Sequence, residues 1–188
     1  MYGCEKLVKR YGGQTVLNEL TLSFEEGGCY CLMAPSGGGK TTLFRILAGL
    51  EQADSGKLVG FEDAKLAMVF QENRLCEQLT PVTNVAMVQT SPDRKRIEAE
   101  LSKILPTSCL YQTAATLSGG MKRRVAIARA LLSDSDILLM DEPFTGLDEE
   151  NREKVMDYVK EKKGNRLLLL TTHRRSEAEA LGAAVINL

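Results

Sequence analysis

The 188-residue sequence holds no apolar run near the roughly 18 residues a membrane-crossing helix needs, so no spanning segment is expected. Its polar start, Met1-Tyr2-Gly3-Cys4-Glu5-Lys6, lacks the order of a secretory signal, which leaves the cytoplasm as the expected location. Charge of one sign is also missing. A formal net charge of −1 offers no basic face, and nucleic acid is not expected as a main partner. The five cysteines are an odd set without paired metal-ligand spacing; they read as free thiols used as small apolar groups. Histidine occurs once, at His173. The length fits one domain, residues 1–188, with a sizeable core.

What the chain does have is a strand, a glycine loop and a helix in immediate succession. The apolar run Cys29-Tyr30-Cys31-Leu32-Met33 leads into Ala34-Pro35-Ser36-Gly37-Gly38-Gly39-Lys40-Thr41-Thr42, and Leu43, Ile46, Leu47 and Leu50 follow at helical spacing. Such a loop gathers unpaired backbone N–H groups and the positive end of a helix dipole at one point, which favours phosphate. Gly37, Gly38 and Gly39 let the backbone curl around phosphate oxygens, Lys40 reaches the β- and γ-phosphates, and the Thr41 hydroxyl suits Mg²⁺. The strict pattern asks for glycine where Ala34 stands. With alanine admitted there, average composition matches by chance in roughly one chain in a hundred of this size, so the loop alone is also compatible with a glycine-rich turn.

Taken in order, residues 7–13 and 16–24 read as strands of an antiparallel opening sheet, and residues 53–56 as loop. Leu66-Ala67-Met68-Val69-Phe70 is a buried strand ending at Gln71. Residues 72–116, punctuated by Pro81, Pro92 and Pro106, read as a helical insertion with an amphipathic segment at 93–105 and a solvated start at Asp93-Arg94-Lys95-Arg96. Leu117-Ser118-Gly119-Gly120-Met121 opens a helix with Val125, Ala128, Leu131 and Leu132 on one side and Arg123 and Arg124 on the other. With Ser118 as N-cap, this is a second anion-binding helix start. Two more apolar strands follow, at 136–142, ending in Asp141-Glu142, and at 166–173, ending in His173; helices at 149–163 and 174–181 and a strand at 184–188 complete the chain. Apolar strands alternating with helices predict an α/β fold, a mostly parallel sheet covered on both faces.

In such sheets ligands sit at the carboxyl ends of the strands. Lys40 and Thr41, Gln71, Asp141 and Glu142, and His173 follow four of them. Asp141 suits Mg²⁺ beside Thr41, and Glu142 suits orienting and deprotonating a water. An acidic pair at a strand end is otherwise a cap or a solvated turn; behind a phosphate loop that reading recedes.

The ordered set of the phosphate loop, Val69-Phe70-Gln71, Leu117-Ser118-Gly119-Gly120, Leu138-Leu139-Met140-Asp141-Glu142-Pro143, Gly146-Leu147-Asp148 and Thr172-His173 resembles the ATP-binding cassette ATPases over essentially the whole chain. The resemblance implies a P-loop NTPase core hydrolysing ATP with Mg²⁺ in a head-to-tail dimer, where the phosphate loop of one copy faces the Ser-Gly-Gly signature of the other. It implies that Tyr11 stacks on adenine, that Ser36 to Thr42 hold the phosphates, and that Thr41, Gln71 and Asp141 attend the metal. Glu142 is then the general base, His173 contacts the γ-phosphate, Asp148 crosses the interface, and Ser118, Gly119 and Gly120 clasp the nucleotide of the other copy. The expected partners are a second cassette, in the simplest case the same chain, and a transmembrane permease docking beside Gln71 and the insertion on the cytoplasmic face. Gln71-Glu72-Asn73-Arg74-Leu75 is similar to the segment in importer cassettes for nitrate, sulfonate or taurine-like anions.

Three departures stand out: Ala34, tolerable if its φ is negative; Met121 for the usual glutamine, removing a polar contact at the trans closure; and a stop at Leu188, short of the family's usual extension, which implies a minimal cassette. The alternative is a soluble cassette ATPase acting on a macromolecular complex such as the ribosome. Those relatives usually carry two cassettes or long coiled-coil inserts, and neither is here.

Overall fold

The computed structural model describes residues 1–188. Two strands, β6 (Ile137–Asp141) and β7 (Leu167–Thr171), are buried at every residue, because both of their faces are apolar. They form the middle of a five-stranded parallel sheet with β5 (Leu66–Val69), β3 (Cys29–Met33) and β8 (Ala184–Asn187), in the order β5-β6-β7-β3-β8. The period of two along a strand then divides the core. Ile137, Leu139, Leu167, Leu169 and Leu32 pack with Leu43, Phe44, Ile46 and Leu47 of α1 (Lys40–Leu47). Leu138, Met140, Leu168, Leu170 and Cys31 face the other way, against Val125 and Ile127 of α4 (Gly119–Leu131) and Val155 and Val159 of α5 (Glu149–Lys163). A parallel sheet covered on both faces is the architecture expected. Burial pushes the Cys31 thiol up to about 11, in keeping with its use as apolar filling.

The opening sheet is antiparallel and has three strands, β1 (Tyr2–Tyr11), β2 (Gln14–Phe24) and β4 (Ser55–Val59), in the order β2-β1-β4. The third of them corrects the sequence reading, which left Ser55 and Gly56 in a loop. Ser55-Gly56-Lys57 is exposed and has no apolar alternation, so pairing with β1 rather than local propensity makes it a strand. Gly56 has φ 93°, and a Cβ there would lie 2.5 Å from the Lys6 carbonyl oxygen, so only glycine fits. The β1–β2 ladder shifts register three times, and Lys6 and Glu19 adopt φ of 49° and 48°. These irregularities bend the pair over α1.

Between β5 and α4 lie α2 (Pro81–Ala86), α3 (Arg94–Leu101) and two short 3-10 turns, Thr107–Cys109 and Ala114–Thr116. Pro81, read as punctuation, is the first residue of α2, where its missing N–H costs nothing. Thr80 caps that helix, accepting from Thr83 N at 3.2 Å. The amphipathic segment expected at 93–105 is helical only over Arg94–Leu101, with Asp93 as cap, while Ile104 and Leu105 continue into the core beyond it. α6 (Arg175–Ala180) precedes the last strand. No helix is long and apolar enough to cross a membrane.

Candidate active site

The turn from β3 to α1 places the glycine loop at the carboxyl end of the parallel sheet. Gly39 is the N-cap of α1 at φ 82° and offers no side-chain cap, so the first N–H groups of the helix stay open. A Cβ on Gly39 would meet Leu17 Cδ2 at 2.8 Å and the Val16 oxygen at 3.0 Å. Ala34 is not among the residues with positive φ, and a Cβ on Gly38 would lie 2.7 Å from its methyl. Alanine at 34 is thus accommodated by glycine at 38. The Lys40 ammonium is nearly buried and donates to the carbonyls of Ala34 at 2.7 Å and Pro35 at 3.3 Å, folded back into the loop that a phosphate would occupy.

The loop faces a cleft of about 390 Å³ lined by Tyr11, Val16, Ser36, Gly37, Gly38, Gly39, Lys40, Thr41, Thr42, Gln71, Glu142 and His173. Asp141 lies beneath it, 1% exposed, accepting from the Thr41 hydroxyl at 2.7 Å and from the Thr171 hydroxyl at 2.7 Å. Thr41 and Asp141 therefore present hard oxygen donors side by side, a set that fits Mg²⁺ shared with phosphate oxygens. No cluster of three or more His, Cys, Asp or Glu side chains could hold an ion by itself. Glu142 stands at φ 47°, a conformation side chains rarely adopt, with its N–H donating to Thr171 Oγ1 at 3.0 Å. That twist turns its carboxylate away from Asp141 and into the cleft. There His173 Nε2 lies 2.9 Å from Glu142 Oε1, and Gln71 Nε2 lies 3.5 Å from the same oxygen. Tyr11, 46% exposed at the outer rim, hydrogen-bonds through its hydroxyl to Glu51, which raises the phenol's pKa.

Ser118, Gly119 and Gly120 are not part of this cleft. They start α4 on the surface, with Ser118 Oγ accepting from Met121 N at 3.3 Å. Met121 turns inward, its sulfur 3.9 Å from Cys109 Sγ, and packs on the core. Asp148 caps α5, accepting from Asn151 N at 2.9 Å. A wider cleft, about 740 Å³, opens at the opposite end of the sheet and contains none of these residues. There Arg166 donates to the carbonyls of Leu131 at 2.8 Å and Lys163 at 3.0 Å, its charge set against the C-terminal ends of α4 and α5.

Sequence reasoning missed several groups. Arg123 and Arg124, assigned to the side of α4 away from its apolar residues, are 3% and 9% exposed and donate to carbonyls of neighbouring loops. Thr171 was read as strand alone. Arg152 and Glu177 form a buried ion pair at 3.4 Å, and Glu177 also accepts from the Thr172 hydroxyl beside His173. A hydroxyl directly after the run Leu167 to Leu170 was the only signal for Thr171; for the others no local signal exists.

Known proteins resemble the chain in both sequence and fold. Residues 17–145 match the family model described as ABC transporter. The chain is 39% identical over 181 residues to the aliphatic sulfonates import ATP-binding protein SsuB 2 of Pseudomonas syringae pv. tomato, spanning 95% of this chain and 78% of the relative. It is 35% identical over 199 residues to the sulfate/thiosulfate import ATP-binding protein CysA of Escherichia coli K12, spanning 95% of this chain and 54% of the relative. Among solved structures, the ATP-binding cassette MJ0796, in a dimeric post-hydrolysis state bound to ADP and Pi, superposes with a TM-score of 0.86 at 27% identity, covering 100% of this chain and 94% of that one. The chain belongs to the ABC transporter family and is one of its nucleotide-binding, ATP-hydrolysing cassettes.

Proposed function

We propose that the cleft between the glycine loop and Glu142 hydrolyses ATP by water attack on the γ-phosphorus. The observation that carries this reading is the convergence of Gln71 and His173 on one oxygen of Glu142 at the mouth of the phosphate loop. Tyr11 stacks on the adenine, residues 36–42 hold the phosphates, and Lys40 exchanges the carbonyls of Ala34 and Pro35 for phosphate oxygens. Thr41 and Asp141, with Gln71 beside them, would hold a magnesium ion, which when bound neutralises charge on the reacting phosphates. Glu142 accepts the proton of the attacking water as the new P–O bond forms and the bond to the β–γ bridging oxygen breaks. His173 holds that carboxylate and the γ-phosphate in one arrangement, and Gln71 orients the water.

The exposed start of α4 has free N–H groups but no phosphate loop of its own, which supports its use on the nucleotide of a second cassette, with Asp148 at the contact. The relatives named above are import subunits for sulfonates and for sulfate or thiosulfate. This supports an importer of oxyanion cargo, the chain sitting peripherally on a membrane and docking a permease beside Gln71 and the insertion 72–116. Nothing comparable favours the soluble alternative. ATP turnover by wild type and Glu142→Gln tests the chemistry: turnover falls at least about 100-fold with ATP binding retained, and a variant within about twofold of wild type overturns it. Co-purification from membranes with a polytopic subunit tests the assembly; recovery with ribosomes instead overturns it.

A further inference from the structure

Arg123 forms no ion pair, yet it is 3% exposed. Its guanidinium has five N–H donors, and the structure gives five acceptors, all backbone carbonyls. Nε donates to Pro143 at 2.8 Å, one terminal nitrogen to Phe70 and to Gln71 at 3.1 Å, and the other to Asp141 at 2.8 Å and Glu142 at 2.7 Å. Two of these carbonyls follow β5 and three end or follow β6, where the sheet ladder stops and carbonyls lose their strand partners. One side chain on α4 thus holds the backbone of Gln71 and of Glu142, and Glu142 is one of the few non-glycine residues at positive φ. Burial lowers the pKa of the guanidinium, while Asp141, Glu142 and Glu72 act in the opposite direction. The group stays a cation, since arginine does not deprotonate in proteins.

We propose that Arg123 is a positioning residue for hydrolysis: it fixes Gln71 and Glu142 relative to each other and ties both to the helix that begins at Ser118. The inference rests on the assignment of Glu142 as base. Displacement of α4 against the sheet moves the base and the water-side glutamine together, because a planar fork bonded on both sides cannot follow one strand and leave the other. Lysine preserves the charge but has a single nitrogen, which cannot span both strand ends. Arg123 makes no hydrogen bond to the glycine loop and does not line its cleft, so nucleotide binding is separable from this role.

The test measures kcat and KM for ATP in Arg123→Lys and in Arg123→Met, which keeps bulk without charge, each with a thermal melt. The expected result is a kcat lower by about 10–100-fold with KM within about twofold, lysine being the milder change. In a Glu142→Gln background, single-turnover rates show less than about a twofold further loss on adding Arg123→Lys. A lysine variant with wild-type kcat, a parallel collapse of kcat, KM and melting temperature, or fully additive losses with Glu142→Gln each overturn the proposal while leaving Glu142 as base. High turnover in Glu142→Gln alone overturns the base assignment, and this inference with it.

Discussion

The helices α1 and α4 both begin at glycine-bearing turns with free backbone N–H groups, yet one starts inside a cleft and the other on the surface. The start of α1 is capped by no side chain and has Lys40, Thr41, Asp141 and Glu142 around it. The start of α4 is capped by Ser118, and its three cations are all engaged within the chain: Lys122 with Glu77 at 2.8 Å, Arg123 and Arg124 with carbonyls. An anion at α1 therefore meets charge, metal donors and a base. At α4 it meets dipoles alone. The first arrangement suits chemistry on a phosphate; the second suits only closing over one, as proposed above.

The contrast breaks first at the lysines. Lys40→Met lowers ATP turnover by at least about 100-fold, the loss of a charged group aimed at developing phosphate charge, whereas Lys122→Met stays within about twofold because its partner is Glu77. Parallel turnover assays decide it, and equal losses would erase the distinction. The glycines come next. Gly39→Ala lowers unfolding free energy by about 1–3 kcal/mol in denaturant titration, since φ is 82° and the added carbon meets Val16 and Leu17. Ser118→Ala costs about 1 kcal/mol on the same scale through loss of the cap. Gly119→Ala has the smallest effect on stability, unchanged or raised by up to about 1 kcal/mol, because nothing lies within 4 Å of its added carbon. Its turnover nonetheless falls about tenfold if a second copy's nucleotide packs there, and wild-type turnover would deny α4 that contact.

The elements legible in the sequence are those whose cause is local. β6 and β7 announce themselves by unbroken apolar runs, and the α1 start by its glycines and lysine. β4 is silent because its strand character comes from β1, and α2 because its proline marks a beginning as readily as a break. The site divides in the same way. Asp141, Glu142 and His173 show as polar residues ending apolar strands, whereas the pairing of Tyr11 with Glu51 spans 40 residues and that of Arg123 with Phe70 spans 53. Met121 was read for the polar contact it lacks; its inward turn onto Cys109 depends on the packing of the insertion, which no spacing in the sequence encodes.

The bulged ladder of β1 and β2 bears on what happens when copies of this chain crowd together. β2 is eleven residues long and has one open edge, the kind of template on which identical strands zip into aggregates. Lys6 and Glu19, both at positive φ, and the three register shifts deny it the flat, regular row of donors and acceptors such zipping needs. A chain proposed to meet a second copy face to face is thereby kept from joining it edge to edge.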